Sequence, residues 1–113
     1  MNTQYTYNAR CTSVYDGDSV TLDIDLGFNM WMRNQKIRLI GIDTPEIRGD
    51  ERAAGLVAAA RLRNLISDRE VTLESYRDKS GKYGRWLGTI YLDGVSMNQL
   101  LLDEGLAEPY PKD

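Results

Sequence analysis

The sequence contains no histidine, and that absence narrows its chemistry more than any residue that is present. Without imidazole there is no Ser-His-Asp triad, no histidine-ligated zinc and no imidazole general base. Proton transfers fall to carboxylates, arginine or water. The single cysteine, Cys11, excludes an intrachain disulfide and is expected to serve as a small buried hydrophobe. No apolar run approaches the length of a membrane span, and Met1 to Arg10 lacks the apolar centre of a secretion signal. The sequence as written is therefore expected in the cytoplasm, with no membrane partner. A trimmed signal would leave no trace, so secretion stays open. Positive charge is also in short supply. A net charge of −3 speaks against a coat protein with a broad basic surface, but not against an enzyme that grips one phosphate locally.

What is present fits one soluble globular domain over 1–113, with 42% apolar and 27% charged residues and no repeats or low-complexity tracts. Residues 5 to 15 alternate loosely and predict a first strand, closed by the turn signal Asp16-Gly17. Val20, Leu22, Ile24 and Leu26 alternate with Thr21, Asp23 and Asp25, the period of a half-buried second strand. Gly27-Phe28-Asn29 breaks it, and Met30 to Met32 is expected in a turn or hairpin arm. Lys36 to Ile42 predicts a third strand, stopped by Pro45. A polar loop, Ile47 to Glu51, leads to a helix reaching about Ser67, with Ala54, Ala58, Leu62 and Leu65 along one stripe. Val71 and Leu73 mark a fourth strand, Arg77 to Gly84 a charged loop, and Trp86 to Leu92 a fifth strand. Asp93-Gly94 turns the chain into a short helix, opened by a Ser96–Gln99 capping box and ended by Gly105. The tail from Glu108 is expected to be irregular. Five short strands, with a helix between the third and fourth and a short C-terminal helix, predict an α+β fold, a five-stranded barrel of the oligonucleotide-binding kind.

The chemistry gathers in Arg38-Leu39-Ile40-Gly41-Ile42-Asp43-Thr44-Pro45-Glu46. Arg38 sits inside an apolar strand, where it needs a partner or a polar exit, and its guanidinium can grip a phosphate with two parallel donors. Asp43 and Glu46 lie where the backbone leaves the sheet and can hold a hard cation or move a proton. Asp16-Gly17-Asp18 adds a second acidic turn, and Arg85 a second arginine after Lys82-Tyr83-Gly84. Singly, each residue has a bland reading: a hairpin turn, an amide-capping aspartate, a solvated loop charge, a structural ion pair. Together, two arginines and several carboxylates without histidine or cysteine suggest phosphodiester chemistry with an oxygen-bound metal.

This pattern resembles the staphylococcal nuclease (thermonuclease) family. The likeness runs from about Val14 to Ala107 through Asp16-Gly17-Asp18, Arg38 with Asp43-Thr44-Pro45-Glu46, Lys82-Tyr83-Gly84-Arg85, Asp93-Gly94 and Gly105-Leu106-Ala107. The resemblance implies that Asp18, Asp43 and the Thr44 carbonyl bind Ca2+. Glu46 is implied beside the attacking water, with Arg38 and Arg85 on the phosphate. Lys82 and Tyr83 are implied to line the nucleotide pocket, and Tyr110 to stand in for a family tyrosine. Asp16 corresponds to a carboxylate near the metal that is not a first-choice ligand. The implied activity is a calcium-dependent endonuclease acting on DNA and RNA, single-stranded DNA included, with little sequence preference and 3′-phosphate products. Like-charge crowding of Asp18 and Asp43 is expected to destabilise the metal-free fold.

Three departures accompany the likeness. The loop after Glu46 is shorter and lacks the family's nucleotide-holding lysines, and the Leu26 to Gln35 arm is longer. The family's last helix and much of its tyrosine-bearing segment are not expected within these residues. Substrate affinity and oligomeric state, monomer or weak self-association, stay open. The rival reading is a catalytically silent barrel that binds nucleic acid or protein. A small calcium-binding structural module is a weaker rival, because it leaves the arginines unexplained.

Overall fold

The alternation from Val20 to Ile24 builds a strand, β2 (Ser19–Gly27), in which Val20, Leu22 and Ile24 are buried while Thr21, Asp23 and Asp25 are less so and Leu26, near the strand's end, is exposed. The chain is described by a computed structural model over residues 5–80, with side chains to 76, and over 85–110. β2 pairs antiparallel with β1 (Thr6–Asp16) across the Gly17-Asp18 turn. It pairs on its other side with β3 (Met30–Leu39). Gly27, Phe28 and Asn29, at φ 85°, 55° and 62°, make that second turn left-handed. β1 also pairs with β5 (Glu70–Ser80), and β5 with β6 (Trp86–Leu92). Parallel pairing of β3 with β6, from Ile37↔Trp86 to Leu39↔Gly88, closes the five strands into a mixed barrel. This is the expected barrel of the oligonucleotide-binding kind. Helix α1 (Arg52–Ile66) lies between the third and fourth barrel strands in chain order, and α2 (Met97–Asp103) follows the fifth.

The core is aliphatic. Leu22, Ile37, Leu39, Ile42, Leu62, Ile66, Leu73, Ile90, Met97 and Leu101 are fully buried, each contributing roughly 1.5–3 kcal/mol by leaving water. Cys11 is buried among them, and burial pushes its thiol up to about 11, as expected for an inert hydrophobe. Ser96 caps α2 by accepting the Gln99 amide at 3.1 Å, whereas the Gln99 side chain turns to Asp103 instead of completing the box. No helix among the described residues is long and apolar enough to cross a membrane.

Several boundaries differ from the sequence expectation. Of the two expectations for Met30 to Met32, a turn or a hairpin arm, the structure shows the arm: these residues begin β3 and pair with β2 (Asp25↔Trp31, Ile24↔Met32). Arg33 sits over the Trp31 ring at 4.7 Å and reaches Asp23 at 3.1 Å. Residues 77–80 extend β5 instead of opening a loop. Ala54 is exposed, and the buried stripe of α1 is Gly55, Ala58, Ala59, Leu62 and Ile66, with Leu65 only partly buried. The helix is rotated this way because Gly55 packs against the Pro45 and Glu46 carbonyls, where a Cβ would collide.

The most consequential difference lies at the end of β3. The strand stops at Leu39, and Gly41 at φ 85° redirects the chain before Pro45 is reached. Ile42–Asp43 then forms a separate strand, β4, paired with the short strand Glu108–Pro109, so part of the expected irregular tail is ordered by this pairing. The turn is held from below by buried Asn98 on α2. Its Nδ2 donates to the Ile40 carbonyl at 2.9 Å and the Gly88 carbonyl at 3.2 Å, and its Oδ1 accepts the Ile90 amide at 3.2 Å. Every polar atom of that amide is employed, which is what burial demands.

Candidate active site

Asp18 leaves the hairpin turn and points into the protein. Its backbone N–H donates to Asp16 Oδ1 at 3.1 Å, the local bond that shapes the turn. Its own carboxylate, buried, accepts the Thr44 amide at 3.1 Å and the Ser19 hydroxyl at 3.4 Å. The turn and the metal-site readings of Asp16-Gly17-Asp18 are thus compatible in space. Gly17 is needed for the close approach, because a Cβ there would meet Thr44 Cγ2 at 2.7 Å and Ala58 Cβ at 2.9 Å.

Arg38, on the face of β3 opposite Ile37 and Leu39, finds the polar exit that its position requires. Its Nη1 donates to the carbonyls of Leu39 and Ile42 at 3.1 Å each. Its Nη2 lies 3.6 Å from both Asp18 Oδ2 and Asp43 Oδ1. Tyr110, held by its amide to the Gly41 carbonyl at 2.9 Å, places its ring 5.2 Å from the guanidinium. Arg85 donates to the Ser19 hydroxyl at 2.9 Å, next to Asp18. Asp16, Asp18, Asp43, Glu46, Arg38, Arg85 and Tyr110 therefore share one open cleft of about 1010 Å³. Thr44 lies buried beneath, and its Oγ1 has no hydrogen-bond partner among the described residues. Lys82 and Tyr83 fall outside the described residues.

The charge of the cleft is unevenly borne. Burial, and then the adjacent Asp18 side chain, pushes the Asp16 carboxyl from 3.8 up to about 6, with Glu46 adding to the rise. Asp43 is also raised, first by burial and then by the Asp18 charge, against the opposing pull of Arg38. The crowding expected between Asp18 and Asp43 thus involves Asp16 as well. A surplus of negative charge beside oxygen donors suits a hard cation. Among the described residues no three acidic side chains already form a cage. Two carboxylates and a carbonyl would leave most of a calcium shell to water and phosphate, as an open catalytic site requires.

The sequence reading passed over Tyr15 and Arg48, which also line the cleft, and over Ser19, the acceptor for Arg85. Position next to Asp16, Glu46 and Asp18 was the available signal, but proximity along the chain does not say which way a side chain points.

A family model described as staphylococcal nuclease homologue matches residues 36–113. The chain belongs to the staphylococcal nuclease family. The thermonuclease of Staphylococcus intermedius is 33% identical over 97 residues, covering 83% of this chain and 54% of that protein. The thermonuclease of Staphylococcus hyicus is 31% identical with the same coverage. Endonuclease YncB of Bacillus subtilis (strain 168) is 34% identical over 79 residues, 66% of this chain and 37% of that protein. The chain spans about half the length of the thermonucleases it matches. The family segment contains Arg38, Asp43, Glu46, Arg85 and Tyr110, while Asp16 and Asp18 precede it and join it only through the fold.

Proposed function

We propose that this chain is a calcium-dependent endonuclease that hydrolyses phosphodiester bonds of DNA and RNA with little sequence preference. The observation that carries the reading is Arg38, whose Nη2 meets two carboxylates at 3.6 Å in an open cleft beside a second arginine. Kinship with proteins named as nucleases supports it. Asp18, Asp43 and the Thr44 carbonyl would hold the ion. Calcium there would polarise the phosphoryl oxygen and orient the attacking water.

The remaining work belongs to side chains. Glu46 aligns the water and takes its proton as the water oxygen bonds to phosphorus. The bond from phosphorus to the 5′ oxygen breaks, and that oxygen takes a proton from solvent water, leaving a 3′-phosphate and a 5′-hydroxyl. Arg38, once its carboxylate partners are otherwise engaged, turns to the phosphate, and Arg85 joins it to neutralise charge on the equatorial oxygens. Lys82, Tyr83 and Tyr110 serve the nucleotide. The test is cleavage of single-stranded DNA in millimolar calcium and then in chelator. Activity lost in chelator and restored by calcium supports the reading, and undiminished cleavage in chelator overturns it.

A further inference from the structure

The segment 41–48 gives Asp43, Glu46 and Arg48 to the cleft, and an arginine–tyrosine pair lies at each of its ends, the first made by Arg38 of the preceding strand. At one end Tyr110, bonded to Gly41, lies over Arg38. Asp43 and Thr44, tied to Arg38 and Asp18, occupy the middle. At the other end Arg48 Nη2 donates to the Tyr15 hydroxyl at 2.7 Å. We propose that the Tyr15–Arg48 pair is a second nucleotide subsite, which holds a nucleotide beyond the two that flank the scissile phosphate, on the side away from Tyr110. This rests on the endonuclease reading above and extends it.

Three observations favour a ligand at this pair. Arg48 makes no ion pair among the described residues, and its hydrogen-bond partner is a neutral phenol. A guanidinium so held keeps its charge and its remaining donors for an incoming phosphate. Tyr15 is 55% exposed inside the cleft, which leaves ring surface on which a base can stack. The loop is also well anchored. Glu51 accepts the Glu46 amide at 3.0 Å, and Gly55 packs beneath the Glu46 carbonyl. Arg48 is thereby presented from a braced segment, which lowers the cost of ordering it on binding. Sequence tolerance follows, because stacking and phosphate contact read no base edge.

The test compares wild type, Arg48→Ala, Tyr15→Leu and Arg48→Lys on oligothymidylates of two and six residues in calcium. Both side chains are surface-exposed, and unchanged circular dichroism would show that the variants fold. On the hexamer, Arg48→Ala and Tyr15→Leu should raise KM about tenfold, the scale of one lost stacking or phosphate contact, with kcat unchanged. On the dimer KM should not move, and Arg48→Lys should recover part of the hexamer loss. Equal changes on both lengths, or none on either, overturn the proposal. If wild type cleaves neither oligomer, the endonuclease reading fails. The subsite is then read by fluorescence anisotropy of the labelled oligomers. Length-dependent binding that the two variants lose supports it, and binding that they leave unchanged overturns it.

Discussion

The Asp18 carboxylate accepts the backbone N–H of Thr44 at 3.1 Å across 26 residues of chain, and this bond seats the acidic loop against the hairpin turn. It also explains how a buried aspartate is tolerated without metal. Its oxygens have the Thr44 amide, the Ser19 hydroxyl and the Arg38 guanidinium. Asp18→Ala leaves a buried amide and a half-buried arginine without that acceptor, so it should cost about 2–3 kcal/mol in chelator. Asp18→Asn retains an acceptor oxygen and should cost less. Denaturant unfolding of the three proteins decides it, and no loss in Asp18→Ala would show the bond to be dispensable.

Asp16 predicts a pH dependence. Its folded-state value near 6 lies above the ordinary 3.8. A carboxyl raised in this way is neutral in both states below about 4, and in the folded state pays for ionisation above about 6. Metal-free protein should therefore lose stability as pH rises through that window. Asp16→Asn keeps the oxygen that accepts the Asp18 amide but removes the charge. It should melt higher than wild type at pH 7 and nearly level with it at pH 4. Melting curves in chelator at the two pH values provide the check, and a variant less stable at pH 7 would contradict the account.

Gly55→Ala separates helix propensity from packing. In an exposed helix the change should stabilise by up to about 1 kcal/mol. Here the new methyl meets the Glu46 and Pro45 carbonyls, which are backbone and cannot swing away. We expect a net loss of about 2 kcal/mol, together with reduced turnover because Glu46 shifts. A more stable variant would mean that the loop yields easily.

Arg85→Lys tests whether the fork of the guanidinium matters. An ammonium keeps the charge but offers no pair of parallel donors. Turnover should fall about a hundredfold, on the order of 3 kcal/mol of transition-state stabilisation, while binding of single-stranded DNA in calcium weakens far less. Wild-type rates from this variant would reduce Arg85 to a loop charge.

Much of the barrel was legible in the residues because strand period and turn chemistry are local. Val20 to Ile24 could only bury one face as a strand, and Asp16-Gly17, Asp93-Gly94 and Gly105 each punctuate where the backbone turns. Ser96 announced its helix for the same reason. Met30 to Met32 stayed open between a turn and a hairpin arm because its strand character comes from pairing with β2, a non-local stabilisation that no short window records. The tail was misread for the same reason, since Glu108–Pro109 is ordered by β4.

The candidate site divides along the same line. The sequence by itself determined the chemical inventory: no imidazole, oxygen donors only, and an arginine stranded among apolar neighbours that had to find polar company. Which company was a tertiary decision. The left-handed turn at Gly41, held by Asn98, swings Asp43 and Thr44 toward Asp18 and lets one nitrogen of Arg38 reach both carboxylates. The fold alone brings Ser19 to Arg85 and Tyr15 to Arg48, residues 66 and 33 positions apart. Side-chain direction and long-range approach depend on how the barrel closes, and closure is a property of all the strands at once.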